Sequence, residues 1–258
     1  MTPSAPAETG STLRAASLAT RIARQARFES LTMLRNGEQL VLAIVLPLLG
    51  LVALVVTPLL DGLGGSRINV ATPGILALCA LSTAFTGQGI ATGFDRRYGV
   101  LRFLSTTPLG KTGLIAGKVI AVLVVLALQV VVISVVAGFL GWQPQPGGVL
   151  LGLPLLILGA LSFASLGLLV AGTLRPEATL AVTNLLWILF GALGGIALPS
   201  SQAPGLMRDV VHFLPSGALG DALRAAFVEG RFDLWGFVVL LVWAVLATLG
   251  AIKWFRWS

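Results

Sequence analysis

Six long runs of apolar residues divide this chain, and they restrict its fold more than any other feature. A hydrocarbon core about 30 Å thick needs roughly 20 apolar residues in helical conformation. The runs show no alternation of polar and apolar residues, and backbone groups in lipid must be hydrogen-bonded within their own segment, which favours helices over a β-barrel. The sequence therefore predicts an all-α membrane protein with six transmembrane helices. These helices lie near residues 39–60, 73–93, 116–141, 149–172, 178–198 and 234–254.

The first 37 residues are basic and precede the first predicted span. From about Thr12 to Arg35, apolar residues fall near one side of a helix and arginines gather on another. The apolar side carries Leu18, Ile22, Ala26 and Met33. The basic side carries Arg14, Arg21, Arg24 and Arg35. Each arginine near anionic headgroups contributes about 1 kcal/mol, which favours an amphipathic helix on the inner leaflet. A solvated basic tail is the alternative, and residues 1–11 are expected to be one. No short apolar core precedes a cleavage site, so we expect no cleavable signal.

The positive charges predict how residues 38–258, the transmembrane domain, are oriented. With both termini on one face, thirteen lysines and arginines lie on that face and four on the other. The thirteen are Arg14, Arg21, Arg24, Arg27, Arg35, Arg96, Arg97, Arg102, Lys111, Lys118, Arg175, Lys253 and Arg256, and the four are Arg67, Arg208, Arg224 and Arg231. The positive-inside rule then puts both termini in the cytoplasm, with the chain multi-pass in the plasma or inner membrane. Topology thus explains the net charge of +7, and no nucleic-acid partner is indicated.

The segment 93–112, between the second and third spans, is polar and basic. Tyr98, Leu101 and Arg102 are spaced three and four residues apart, which predicts that they share one face of a short helix ended by Pro108. Such a face would give an apolar contact with a basic rim, suited to a partner protein. A merely solvated basic loop is the alternative interpretation.

The segment 199–233, between the fifth and sixth spans, alternates proline and glycine breaks with two short helical stretches, near 204–213 and 217–228. Neither stretch is long enough to cross a bilayer, so we expect both to enter the outer leaflet and return, with the breaks at Pro204 and Pro215. A plain extracellular cap remains the alternative.

Polar residues in the middle of the spans are neutral, whereas Lys118 lies near the start of the third span and Lys253 at the end of the last. No Asp, Glu or Arg falls in the middle of a span, and this disfavours an ion-coupled secondary transporter, which usually buries ionisable residues there. Amides such as Gln129 and Asn184 are candidates for lining a substrate pathway, or for joining helices by hydrogen bonds worth about 0.6 kcal/mol each.

Enzyme signals in the sequence are weak. Ser105 stands where a phosphate-binding loop requires its first glycine, and Pro108 interrupts that loop. His212 and Ser216 could form the dyad of an intramembrane serine protease, although the Gly-x-Ser-x-Gly elbow is absent. One histidine and the single Cys79 give no metal-ligand cluster. We therefore predict no catalytic, cofactor-binding or metal-binding residue.

The whole arrangement resembles the membrane subunits, or permeases, of type-2 ATP-binding-cassette (ABC) exporters, which include antibiotic-resistance exporters and polysaccharide carriers. The resemblance covers almost the whole chain and rests on the basic amphipathic helix, the loop and the paired short helices. In that family the loop looks like an aromatic residue, acidic and basic residues, a glycine, and Thr-Pro-Leu before the third span. The matching positions here are Phe94, Asp95, Arg96, Arg97, Gly99, Leu101, Leu104, Thr107, Pro108 and Leu109. Asp95 departs from the usual glutamate, which leaves local salt bridges open.

This resemblance implies that the loop is a coupling helix seated in a groove of a separate ABC ATPase subunit, which binds the ATP. The docking residues would be Asp95, Arg96, Arg97, Tyr98, Leu101 and Arg102. It also implies half a transporter, completed by a second copy or a sister permease. The expected function is export of a hydrophobic or lipid-linked compound by a subunit that is not itself an enzyme. An intramembrane serine protease and a non-catalytic membrane scaffold are the alternatives.

Overall fold

The computed structural model describes residues 16–62 and 65–255. Arg14, Arg256, the tail and the first residues of the predicted N-terminal helix lie outside that range. The described helices are α1 (Leu18–Arg35), α2 (Gly37–Val56), α3 (Arg67–Arg97), α4 (Val100–Ser105), α5 (Gly110–Phe139), α6 (Gly148–Thr173), α7 (Pro176–Leu193), α8 (Leu206–Phe213), α9 (Pro215–Arg224) and α10 (Leu234–Trp254). Within them α3 contains a π-helical stretch, Leu81–Gly87, and α7 ends in another, Leu189–Leu193. The described residues contain no strand.

The prediction of an all-α fold with six membrane-spanning helices is confirmed. In the part of the chain that the structure describes, α2, α3, α5, α6, α7 and α10 are long and apolar enough to cross a membrane. The second span is longer than its apolar run, since α3 continues through the charged residues to Arg97. It ends because Gly99 adopts the left-handed conformation (φ 76°) that commonly terminates helices. Residues 93–97 are therefore helical, and the connecting loop is shorter than the segment 93–112.

Helix α1 lies along the first turns of α5. Its N-terminus is capped by the Ser17 side chain, which accepts a hydrogen bond from the Thr20 N–H. Ala26 and Ser30 are buried, while Arg24 and Arg27 are exposed, in keeping with an amphipathic helix. That α1 lies on a membrane surface stays a prediction.

The core of the bundle lies between α3, α6, α9 and α10. Phe85, Phe163, Leu219 and Leu240 are buried there, and the Ser162 hydroxyl donates a hydrogen bond to the Leu240 carbonyl across the α6–α10 contact (2.6 Å). By contrast, α2 and α7 bury only a small part of their surface within this chain. Their outer faces are therefore available to lipid or to another protein chain.

The two short helices before the last span, α8 and α9, occupy different environments. Nearly every residue of α9 is buried inside the bundle, and its helix continues as a π-helical turn, Ala225–Glu229. Helix α8 lies on the outside and exposes Leu206, Val210 and Phe213. Their depth in a membrane stays a prediction.

Candidate functional site

The short helix α4 lies at one end of the bundle, together with α1, the start of α7 and the end of α10; we call this the loop end. The opposite end, which carries α8 and α9, is the hairpin end. Helix α4 buries one face against the bundle and exposes the other. Leu101 is fully buried (0% exposed) and packs with Leu109, Leu114 and Phe255. Those contacts anchor α4 to the start of α5 and the end of α10.

The prediction that Tyr98, Leu101 and Arg102 share one face is wrong. Tyr98 caps the end of α3 and Gly99 then adopts the left-handed conformation, so a helical count from Tyr98 to Leu101 does not apply. Leu101 points into the protein, whereas Tyr98 is 73% exposed and Arg102 is also exposed. Leu101 therefore anchors the loop to the bundle and has no surface with which to contact a partner.

A different group of side chains forms the exposed surface of the loop. Phe94 and Tyr98 stack with ring centroids 6.1 Å apart, and Phe103, one helical turn beyond Val100, is 70% exposed. We call Phe94, Tyr98, Val100, Arg102 and Phe103 the aromatic loop surface. Exposed aromatic residues beside an arginine are the composition that protein interfaces favour.

Three of the charged residues predicted to dock are bonded within the chain. Arg96 donates to the carbonyl of Leu174 (2.8 Å), one of the terminal carbonyls of α6 that lack a helical partner. Arg97 lies 3.4 Å from the carboxylate of Glu177, in the first turn of α7. Asp95 lies 2.8 Å from the Lys118 ammonium group. These charges fasten the end of α3 to three other helices.

Lys118 is a functional candidate that the sequence reasoning missed. Its side chain is fully buried (0% exposed), and its ammonium group also lies 2.9 Å from the carboxylate of Glu29 in α1. Its position near the start of a span was visible in the sequence. Its pairing with Glu29 and Asp95 could not be predicted from the sequence, because those residues lie on other helices.

A cavity of about 560 Å³ opens between α2, α3 and α7. Its wall is mostly apolar, and its polar lining residues are Gln39, Ser82, Thr83, Thr86, Asn184 and Trp187. The Trp187 indole donates to the Ser82 hydroxyl (2.8 Å), and the Thr86 hydroxyl has no hydrogen-bond partner among the described residues. Among the side chains that the structure describes, none that lines this cavity is ionisable.

The two predicted pathway residues have different positions. Asn184 lines the cavity. Gln129 lies behind it, accepting a hydrogen bond from the Thr83 hydroxyl (2.8 Å) and donating one to the Ala43 carbonyl (2.7 Å). Gln129 thus joins α5 to α3 and α2 and holds one of the lining hydroxyls in place.

The structure does not bring the residues of the protease alternative into a dyad. The His212 ring is stacked on Trp235, with centroids 5.4 Å apart. The Ser216 hydroxyl is buried and has no hydrogen-bond partner within the described part of the chain, so the contact to His212 that a base would need is not formed. Nor do the described residues contain a group of three His, Cys, Asp or Glu side chains suited to a metal.

A buried arginine organises the hairpin end. Arg224 donates to the carbonyls of Gly195 (2.9 Å) and Ile196, just beyond the end of α7, and lies 3.4 Å from the Asp221 carboxylate. Burial lowers the pKa of the Arg224 guanidinium, and the nearby Asp221 carboxylate opposes that shift. The side chain joins α9 to the point where α7 ends.

These features define a polytopic helical membrane protein with a loop held to its helix bundle and a mostly apolar cavity between its spans. A family model described as ABC-2 type transporter matches residues 22–228. The chain belongs to the ABC-2 type transporter family. It is also 24% identical over 155 residues to "Putative transport permease YvfS" of Bacillus subtilis (strain 168). That alignment covers 60% of this chain and 63% of the relative, so the chain matches less than two thirds of the relative's length.

Proposed function

We propose that this chain is the membrane subunit of an exporter that moves a hydrophobic or lipid-linked compound with ATP hydrolysed by a separate ABC ATPase subunit. Family membership supports the transporter class and the separate ATPase. The observation that carries the proposal is the aromatic loop surface, which leaves Tyr98 and Phe103 exposed on a loop that is otherwise tied to the bundle. A groove on the ATPase would cover these rings.

Rigid attachment of the loop suits it to transmit motion. Leu101 anchors α4 in an apolar cluster, Arg96 ties the end of α3 to the end of α6, and Lys111 donates to the Phe255 carbonyl at the end of α10 (2.8 Å). When two ATPase subunits close on ATP, a displacement of the loop would therefore move the spans as well. Alternating access requires a two-state coupling of this kind.

The first test is co-purification of the tagged chain from its native membranes in mild detergent. We expect an ATPase with a complete phosphate-binding loop to accompany the chain and to hydrolyse ATP. Tyr98→Ala and Phe103→Ala should each weaken this association by about 2 kcal/mol, as for central interface aromatics. Phe139→Ala is the matched control, because Phe139 is an exposed ring at the other end of α5. A wild-type chain that brings no ATPase would overturn the proposal and favour the scaffold alternative.

The cavity between α2, α3 and α7 is the proposed route for the cargo. Its apolar wall suits a hydrophobic body, and the amide of Asn184, with the buried Thr86 hydroxyl that no described residue pairs, suits one neutral polar group of the cargo. Gln129 would act indirectly by fixing Thr83.

Transport into inside-out vesicles tests this route with a panel of apolar dyes. Thr86→Val and Asn184→Leu should reduce ATP-driven uptake of the dyes that the wild-type complex transports. Thr57→Val is the control, since that threonine is exposed and follows the last turn of α2. Equal uptake by all four proteins would place the route elsewhere.

The remaining features of the proposal concern assembly and orientation. We place both termini and the loop end in the cytoplasm, α1 on the inner leaflet and the hairpin end in the outer leaflet of the cell membrane. A second copy or a sister permease would cover α2 and α7, whose outer faces are little buried here. Native mass spectrometry of the purified complex should give two permease chains for two ATPases, and a single permease chain would contradict this arrangement.

A further inference from the structure

Lys118 is a fully buried cation that contacts carboxylates from two other helices. Its ammonium group lies 2.9 Å from Glu29 in α1 and 2.8 Å from Asp95 near the end of α3. Glu29 also accepts a hydrogen bond from Gln25 (2.9 Å). Burying an ammonium group is costly unless it is paired and hydrogen-bonded, and here both partners are supplied by elements that flank α5.

The three groups form a bridge whose ends have different positions. Asp95 belongs to the last turns of α3, beside Phe94 of the aromatic loop surface, so it moves with the proposed docking loop. Glu29 belongs to the N-terminal helix, which precedes the first span. Lys118 therefore joins α1 to the start of the loop through a side chain of α5.

A second contact joins α1 to the other end of the same loop. The Arg21 guanidinium donates to the carbonyl of Pro108, after the end of α4. Close approach of α1 to α5 makes both contacts possible: a Cβ atom on Gly117 would lie 2.7 Å from Cγ of Gln25. Helix α1 is thus connected to both sides of α4: to Asp95 near the end of α3, through Lys118, and to Pro108, which follows α4.

We propose that Lys118 is a positioning residue that makes α1, the loop and the start of α5 move as one body. This inference rests on the proposed function, because the motion to be transmitted is that of the docked ATPase. The contacts of the loop with α6, α7 and α10 do not reach α1, so the bridge through Lys118 adds a separate connection between the loop and α1. Displacement of the loop would reach the surface helix α1 and, through it, the start of α2, which lines the cavity.

The first experiment measures this connection without an ATPase. Spin labels are placed at two exposed positions, Arg27→Cys in α1 and Thr106→Cys in the loop, in a Cys79→Ala background and in lipid nanodiscs. The wild-type background should give one narrow distance distribution, and Lys118→Met should broaden it. Lys253→Met is the matched control, because Lys253 is an exposed lysine in the last turn of α10. An unchanged distribution in Lys118→Met would overturn the inference, whatever the fate of the proposed function.

The second readout is the amount of cargo exported for each ATP hydrolysed in the assembled transporter. Lys118→Met should reduce this ratio by about 5- to 150-fold, the range of typical coupling energies, while ATP hydrolysis continues. Lys118→Arg, which keeps the charge, should restore most of it. A merely structural lysine would lower hydrolysis and export together and leave their ratio unchanged, which would contradict a positioning role.

A further set of variants covers the case in which Lys118→Met does not fold. Glu29→Gln and Asp95→Asn each keep the lysine and remove one end of the bridge, and the triple variant with Lys118→Met removes all three charges at similar side-chain volume. All three variants should fold and show the broadened distance distribution. If either single carboxylate variant keeps the narrow distribution, the bridge is not what holds α1 to the loop.

Discussion

Two buried cations, one at each end of the bundle, hold this molecule together in different ways. At the loop end, Lys118 contacts two carboxylates on other helices. At the hairpin end, Arg224 (7% exposed) donates to two backbone carbonyls beyond the end of α7, and its carboxylate neighbour, Asp221, lies on its own helix at a longer distance. Lys118 thus joins side chains of two other helices, and Arg224 satisfies backbone carbonyls at a helix terminus.

The difference matches what each end is proposed to do. A bridge between side chains joins whole helices to one another, so those helices can be displaced together, which suits an end that receives a mechanical signal. Backbone carbonyls at a helix terminus need donors in fixed positions, and the planar fork of an arginine supplies two of them. We therefore expect the hairpin end to keep its structure while the spans move relative to it.

Loss of the guanidinium fork at the hairpin end should have the largest effect on stability. Arg224→Met leaves two buried carbonyls without donors and Asp221 without its cation, and should cost about 3–5 kcal/mol of unfolding free energy. Arg224→Lys should lose most of that amount, because a single ammonium group cannot reproduce the fork. Denaturation of the purified chain in detergent measures both. Arg231→Met is the control, since Arg231 forms an exposed ion pair with Glu229.

A lysine-to-arginine exchange at the loop end should have a smaller effect than the reverse exchange at the hairpin end. Lys118→Arg keeps the charge between Glu29 and Asp95, both of which are partly exposed and able to move. We expect a loss of about 1 kcal/mol from the larger buried side chain. The same denaturation experiment measures it. If Lys118→Arg destabilised the chain more than Arg224→Lys, the comparison between the two ends would be wrong.

The membrane helices could be predicted from the sequence because long apolar runs have few alternative folds. The end of the second span could not be placed in the same way. The charged residues from Asp95 to Arg97 looked like the start of a loop, yet each is paired with a different helix, which lets α3 continue to Arg97. Those partners are distant in the sequence and leave no local pattern.

The division of α4 into buried and exposed residues has a signal in the sequence. A glycine that follows a basic turn commonly ends a helix, and Gly99 does so here. If helical positions are counted from Val100, the first residue after Gly99, then Val100 and Phe103 fall on one face and Leu101 and Leu104 on another. In the structure the first pair is exposed and the second packs against the bundle. The bridge of Glu29, Lys118 and Asp95 had no such signal, since it depends on the packing of α1 against α5.

Two glycines, one at each end of the bundle, allow the tightness of packing at the two ends to be compared. A Cβ atom on Gly217, in α9, would lie 2.1 Å from the carbonyl oxygen of Val211, so Gly217→Ala should cost about 1–3 kcal/mol. A Cβ atom on Gly113, in α5 at the loop end, would lie 2.8 Å from Cδ1 of Leu109, a side-chain atom that can shift more easily than a backbone carbonyl oxygen. Gly113→Ala should be close to neutral, because alanine also favours the helix by up to about 1 kcal/mol. Equal losses at both sites would mean that the loop end is as rigid as the hairpin end.

The smallest effect is expected where both partners of an ion pair are exposed. Arg97 and Glu177 lie 3.4 Å apart at the surface of the loop end, and such pairs contribute about 0–1 kcal/mol. Arg97→Ala should therefore leave the unfolding free energy almost unchanged, whereas Arg97→Glu places two carboxylates together and should destabilise the start of α7 slightly. Salt screens exposed charges, so any difference between the two variants should shrink at high ionic strength. A difference that persisted in salt would mean that Arg97 is buried by a neighbouring chain in the purified protein, as a second permease copy or a docked ATPase would bury it.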